Sequence, residues 1–170
     1  MVCFLIFTAT MLRFLPHPAN FAPISAMALF GGTYLNRKFA VIIPMSAMVV
    51  SDAFIGFDSF ASRGTVYGSF VLIGVLGMFL KNRKTFANVA AATISSSALF
   101  YLITNFAFFY PVGMYTHDFS GIAQSYLNGL PFLRGTLLGD IFYVSMLFGV
   151  YEVIRIFIER PQVAEFRVRT

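Results

Sequence analysis

The sequence predicts an all-α integral membrane protein, a single bundle of six transmembrane helices with both termini in the cytoplasm. Of its 170 residues, 58% are hydrophobic and only 11% are charged. A soluble domain of this length carries about 25% charged residues, because its surface lies in water. The twelve Lys and Arg and seven Asp and Glu are too few for such a surface, but they can cap membrane helices.

Apolar runs divide the chain and leave no soluble domain, so residues 1–170 are expected to form one transmembrane domain. We expect spans at about 2–15, 23–36, 39–57, 65–80, 86–110 and 135–158. The alternating pattern of a membrane barrel is absent, so the backbone groups of these spans must be satisfied within helices. Gly31 and Gly32 interrupt the short second run and predict a tilted or partly unwound helix there.

The connections between the runs are of two alternating kinds. Residues 36–38 and 81–84 form tight basic turns, and a basic tail follows Arg155. The other connections, at about 16–23, 58–64 and 111–134, are longer and more polar. By the positive-inside rule, the basic turns and both termini face the cytoplasm. Short basic clusters of this kind can bind the anionic headgroups of the lipid bilayer. Binding of nucleic acid would need a continuous basic face, so no nucleic-acid partner is expected.

The last long connection contains a segment with helical periodicity, at about 118–130. Its apolar residues recur at the spacing of one helix face: Phe119, Ile122, Tyr126, Leu127 and Leu130. We expect a short helix lying at the outer interface, ended by Pro131 before the last span begins.

Polar residues collect at the outer end of this topology, which favours a pocket that captures a polar solute from outside. The candidate substrate-binding residues are His17, Asn20, Asp52, Asn105, His117, Arg134 and Asp140.

Asp52 and Asp140 lie at membrane depth, where an ionised carboxylate costs at least ~2.5 kcal/mol. Each should therefore face the bundle interior or a wet cavity. A structural ion pair and contact with a ligand are both compatible with that placement. We expect Asp140 to pair with Arg134 or Arg13, and Asp52, nearer the outer loops, to serve binding.

The segment Pro16-His-Pro-Ala-Asn-Phe-Ala-Pro23 contains three prolines in eight residues. Prolines fix φ, so the segment is expected to be a stiff, non-helical loop that presents His17 and Asn20 to a ligand. His17 could instead cap a helix. Asn105 could bridge helices or line the pocket. The serines of the Ser95-Ser96-Ser97 run are assigned to close helix packing.

Signatures of enzymes and cofactors are missing from the sequence. It contains no His-Glu-x-x-His, Gly-x-Ser-x-Gly, phosphate-binding loop or Cys-x-x-Cys, and Cys3 is the single cysteine. We therefore expect neither catalysis nor a metal or other cofactor. Two alternatives remain open: an intramembrane enzyme using His17, Asp52 and His117, and a structural membrane subunit without a ligand.

Several blocks together resemble one family of small bacterial membrane proteins. They are Arg13-Phe-Leu-Pro-His-Pro-Ala-Asn-Phe-Ala-Pro-Ile24, Leu29-Phe-Gly-Gly32, Ser51-Asp52 with Gly56-Phe57, Thr104-Asn105-Phe106 and Arg134-Gly-Thr-Leu-Leu-Gly-Asp140. That family is similar to the substrate-capture (S) components of energy-coupling-factor (ECF) vitamin transporters.

The resemblance implies a six-helix S-component bundle that holds a small, vitamin-like ligand near its outer face. It also implies a partnership with a membrane coupling protein and two cytoplasmic ATPases, which would supply the energy for uptake. The function expected from the sequence is thus solute binding and uptake in the bacterial inner membrane.

Overall fold

The computed structural model describes the backbone of residues 1–57, 59–111 and 113–168, and the side chains in these ranges except those of 61 and 159–168. Within these residues the chain is helical and contains no strand. The helices are α1 (Val2–Leu12), α2 (Ile24–Tyr34), α3 (Arg37–Ile55), α4 (Phe60–Leu80), α5 (Phe86–Thr104) and α6 (Phe119–Val168), with a 3₁₀ helix at Ala107–Phe109. The all-helical fold expected from the sequence is confirmed.

Within the residues that the structure describes, four helices, α3 to α6, contain segments long and apolar enough to cross a membrane. Only 22–33% of each such segment is buried inside the protein. Large apolar side chains point outward, among them Phe54, Phe79 and Phe86, which are 78%, 75% and 91% exposed. A soluble monomer rarely exposes apolar surface on this scale, so the chain is a multi-pass membrane protein.

The two remaining helices are shorter than a membrane is thick. α1 and α2 have 11 residues each, which at 1.5 Å per residue is about 16 Å. A complete helical crossing needs about 20 residues. The expected spans 2–15 and 23–36 therefore correspond to helices that are too short to cross by themselves.

α2 lies at the centre of the bundle and contacts all five other α-helices. Every residue from Ser25 to Thr33 is buried. α2 approaches α4 so closely that a Cβ at Gly32 would lie 2.1 Å from the carbonyl oxygen of Gly74, and one at Gly77 would lie 2.4 Å from that of Leu29. Of the two expected outcomes, a tilted or a partly unwound helix, partial unwinding is wrong, because α2 is helical through Gly31 and Gly32. Here the glycines allow close backbone contact.

α6 is a single helix of 50 residues that continues through Pro131. The expected separate interfacial helix at 118–130, ended by that proline, is therefore wrong. The early part of α6 is held to the end of α5 by two tyrosines. The Tyr101 hydroxyl donates to the carbonyl of Tyr126 at 2.6 Å, and the Tyr126 hydroxyl donates to the carbonyl of Leu102 at 2.8 Å. Such tertiary contacts can outweigh the one backbone hydrogen bond that a proline removes.

The bundle has two chemically different ends. At the first, the loop end, Arg13 after α1 contacts Asp52 near the end of α3. At the second, the basic end, the Lys84 ammonium lies 4.6 Å from the ring centroid of Tyr34, whose hydroxyl donates to Glu152 at 2.7 Å. The long polar connections and the basic turns thus meet at opposite ends; the side chains of the basic tail beyond residue 158 lie outside the described residues.

Candidate functional site

A cavity of about 240 Å³ opens at the loop end of the bundle. It lies between the connection that follows α1, the first turn of α2, the end of α3, the last turns of α5 and the middle of α6. Its lining residues are Arg13, His17, Asn20, Ala22, Ile24, Ser25, Ile55, Phe100, Thr136 and Asp140. His17, Asn20 and Asp140, three of the predicted substrate-binding residues, therefore share one cavity.

Asp140 forms the buried wall of the cavity and is 2% exposed. The Ser97 hydroxyl donates to Oδ2 of Asp140 at 2.6 Å, and the Ser25 side chain is a second hydrogen-bonding group beside it. Within the described part of the chain, no basic side chain forms an ion pair with Asp140. The expected pairing with Arg134 or Arg13 is therefore wrong. Six residues separate Arg134 from Asp140, which places their side chains roughly 120° apart around α6.

Arg13 is engaged by the end of α3 instead. Its Nη2 donates to Oδ1 of Asp52 at 2.6 Å, and its Nη1 donates to the hydroxyl of Ser51 and, at 3.4 Å, to the carbonyl of Met48. The Tyr67 hydroxyl donates to the other oxygen of Asp52 at 2.7 Å. Asp52 is thus not among the residues that line the cavity. It binds Arg13, which does line the cavity.

The loop that carries His17 and Asn20 is non-helical, as the three prolines predict. A turn closes where the Phe21 N–H donates to the carbonyl of Pro18 at 3.0 Å. Asn20, the third residue of this turn, has a φ of 58°. Few residues other than Gly and Asn adopt this left-handed conformation readily. The turn therefore favours Asn at position 20, and the same residue lines the cavity.

The same loop rests directly on α6. A Cβ at Gly135 would lie 2.5 Å from the carbonyl oxygen of Ala19, and one at Gly139 would lie 3.1 Å from Cα of Phe21. The Phe21 ring also packs on that of Tyr143, with centroids 5.5 Å apart. α6 therefore supplies the buried carboxylate and also supports the loop above it.

Asn105 lies at the end of α5, outside the cavity. Its Nδ2 donates to the carbonyl of Tyr101 at 2.9 Å. A Cβ at Gly129 of α6 would lie 2.3 Å from Oδ1 of Asn105. Of the two roles left open by the sequence, this contact matches the bridging of two helices.

His117 and Arg134 also lie away from the cavity. The His117 ring stacks on that of Phe108, with centroids 4.5 Å apart, and Arg134 is exposed on α6. His17, Asp52 and His117, the residues of the alternative enzyme hypothesis, therefore do not line one cavity. Among the described residues, no group of three or more His, Cys, Asp or Glu side chains could hold a metal ion.

Asp118 marks the start of α6. Its Oδ1 accepts hydrogen bonds from the Gly121 N–H at 2.8 Å and from the Thr116 hydroxyl at 2.7 Å. The bond from Gly121, together with that from Thr116, lowers the pKa of this carboxyl, because both donors favour its charged form. Asp118 therefore serves as a helix cap, remote from the cavity.

The sequence did not indicate the hydroxyls beside Asp140. From its sequence neighbours Ser97 is expected to be a packing residue. Ser96 matches that role, because its hydroxyl donates to the carbonyl of Ala92 at 2.8 Å. Ser25 lies in an apolar run and has no distinguishing spacing. The sequence shows hydroxyl side chains within the apolar segments, but it does not show which of these hydroxyls face a carboxylate.

Comparison with known families matches residues 1–163 to DUF6580, a family of unknown function. The match begins with α1 and includes every residue of the cavity wall. No curated protein and no solved structure matches the chain. The chain therefore belongs to the family DUF6580.

Proposed function

We propose that this protein binds a small polar solute in the loop-end cavity and serves its uptake, in the manner of the ECF S components that its sequence resembles. The observation that carries the proposal is a buried carboxylate, Asp140, in the wall of a cavity with room for a ligand. A cavity of about 240 Å³ is below the range of roughly 300–1,000 Å³ typical of drug-sized ligands. The proposed solute is correspondingly small.

The chemistry of the wall favours a ligand that donates hydrogen bonds or carries a positive charge. Asp140 has hydroxyl partners but no ion pair among the described residues, and a buried carboxylate is stabilised by a cation or by donors. The charge of Arg13 is balanced by Asp52. Donor groups of the solute are therefore proposed to face Asp140, while His17 and Asn20 contact it from the loop.

For orientation, we propose six membrane segments with both termini inside the cell and the loop end outside, in a bacterial inner membrane. The short α1 and α2 would complete their crossings with the adjoining non-helical residues. The energy for uptake would come from a membrane coupling protein with two cytoplasmic ATPases. Co-purification from native membranes tests this partnership, because an ATPase pair should be recovered with the tagged protein.

Native mass spectrometry of gently purified protein tests solute binding. We expect the wild-type protein to retain a small molecule, and Asp140→Asn and Ser97→Ala to lose most of it. Ser96→Ala is the matched control, because it removes the neighbouring hydroxyl on the same helix without touching the carboxylate.

Two loop variants extend this test. His17→Ala removes the imidazole, and Asn20→Gly removes the amide while keeping a residue that tolerates positive φ. Both should weaken retention with little change in melting temperature, because exposed positions usually contribute within ~0.5 kcal/mol. A wild-type protein that retains no solute, or an Asp140→Asn variant that retains it fully, contradicts the proposal.

A further inference from the structure

The cavity at the loop end is lined by two largely buried groups of opposite charge. Asp140 of α6 is 2% exposed, and the side chain of Arg13 is 9% exposed. Both line the cavity together with the apolar side chains of Ile24, Ile55 and Phe100. A ligand that fills the cavity therefore meets a carboxylate, a guanidinium and hydrocarbon walls.

Arg13 has hydrogen-bonding capacity that its protein partners do not use. A guanidinium carries five N–H groups. Nη1 of Arg13 donates to Ser51 and Met48, and Nη2 donates once, to Asp52. Among the described residues, the second N–H of Nη2 and the N–H of Nε have no acceptor. Because an unpaired donor on a buried side chain is costly, these two N–H groups favour an acceptor within the cavity.

The charges beside the cavity leave one carboxylate uncompensated within the described part of the chain. Asp52 balances Arg13 through the ion pair at 2.6 Å. Asp140 has two serine side chains as its partners, and His17, the other titratable residue of the lining, is counted as neutral. A ligand with one positive charge would neutralise Asp140. A ligand carboxylate at Arg13 would instead lie close to the carboxylate of Asp52, which like charges disfavour.

We propose that the solute is a small organic monocation that carries an uncharged carbonyl group at its other end. Its ammonium group lies against Asp140, and its carbonyl oxygen accepts from the two remaining N–H groups of Arg13. A short hydrocarbon segment between them packs on Ile24, Ile55 and Phe100. This assignment rests on the solute binding proposed above. It gives Arg13 a role in binding besides its ion pair with Asp52.

Probes of matched length test both ends of such a ligand. The ω-aminoalkanamides with one to five methylene groups carry an ammonium and an amide at increasing separation. The corresponding ω-amino acids replace the amide by a carboxylate, the n-alkylamines lack the amide, and the alkanamides lack the ammonium. Melting temperatures measured against probe concentration in detergent give the dissociation constants. At least one aminoalkanamide should bind about tenfold more tightly than each of its three counterparts, because each counterpart loses a charge-assisted hydrogen bond.

Arg13→Lys tests the guanidinium while keeping a cation beside Asp52. It should abolish the tenfold advantage of the aminoalkanamide over the alkylamine and leave binding of the alkylamine unchanged. Arg63→Lys is the matched control and should keep that advantage, because Arg63 lies over the ring of Phe57 and does not line the cavity. Asp140→Asn should abolish the advantage of the aminoalkanamide over the alkanamide.

The probe series overturns the proposal if no aminoalkanamide raises the melting temperature of the wild type, or if the matched alkylamine or amino acid binds as tightly. Equal effects of Arg13→Lys and Arg63→Lys overturn it as well. The solute retained in native mass spectrometry separates this assignment from the proposed function. Its fragmentation should show an amine and an uncharged carbonyl. If Asp140→Asn loses a retained molecule that is neutral, zwitterionic or anionic, solute binding stands and the monocation is overturned.

Discussion

Arg13 and Asp52 form a buried ion pair across 39 positions of sequence, with Nη2 and Oδ1 2.6 Å apart. The pair joins the connection after α1 to the end of α3. Tyr67 adds a hydrogen bond from α4, so three parts of the bundle meet at one carboxylate. Arg13 is held in the cavity wall by this contact, and the partners of Asp140 among the described residues are the side chains of Ser97 and Ser25.

Asp52→Asn should therefore destabilise the protein. Removing one partner of a buried ion pair typically costs 3–5 kcal/mol, because the other charge is left uncompensated; with both side chains slightly exposed, we expect about 3 kcal/mol. Melting in detergent measures the loss. The double variant Arg13→Gln/Asp52→Asn should recover part of it, and Tyr67→Phe should cost only about 1 kcal/mol. Additive losses in the double variant would show that the pair does not couple the connection after α1 to α3.

Gly77→Ala should strongly lower the melting temperature. Its new Cβ would lie 2.4 Å from the carbonyl oxygen of Leu29, and backbone cannot move aside as a flexible side chain can. Overpacking of this kind costs about 1–3 kcal/mol or more. Gly68→Ala on the same helix is the control, because its Cβ would meet open space and alanine favours the helix by up to about 1 kcal/mol. Equal melting of the two variants would exclude the close contact between α2 and α4.

Gly135→Ala should weaken solute retention more than it weakens the fold. A Cβ at this position would lie 2.5 Å from the carbonyl oxygen of Ala19, so the loop must move away from α6. His17 and Asn20 would then shift relative to Asp140. Solute retention, by native mass spectrometry, and melting temperature should be measured on the same variant. Gly149→Ala is the control, because its Cβ would lie in open space on the same helix. Unchanged retention by Gly135→Ala would show that the loop does not contribute to binding.

The proposed orientation is tested by labelling single cysteines in intact cells. Cys3 is exposed and must first be replaced by serine. In that background, a membrane-impermeant maleimide should label Ala19→Cys, at the loop end, and should not label Asn82→Cys, in the basic turn. Both positions are exposed, so accessibility differs only by side of the membrane. The opposite labelling pattern would place the cavity on the cytoplasmic side.

The sequence by itself determined the class of protein, the approximate positions of α1 to α5 and the chemical difference between the two ends of the bundle. Apolar runs specify membrane helices wherever they occur, because lipid offers no partner for the backbone. The spacing of polar residues placed His17, Asn20 and Asp140 at one end. Hydrophobicity and the positions of polar residues are properties of the linear sequence. They can be determined without knowing which helices are neighbours.

Only the tertiary structure decided which groups meet. Arg13 forms an ion pair with Asp52, and Ser97 donates a hydrogen bond to Asp140, 43 positions away in the sequence. α6 continues through Pro131, and α2 is the buried centre of the bundle rather than a disrupted span. Each of these outcomes depends on how a helix is rotated about its axis and on what packs beside it. Hydrophobicity along the chain determines neither the rotation of a helix nor its neighbours. Every face of a membrane helix can be apolar, although only the buried face contacts other helices.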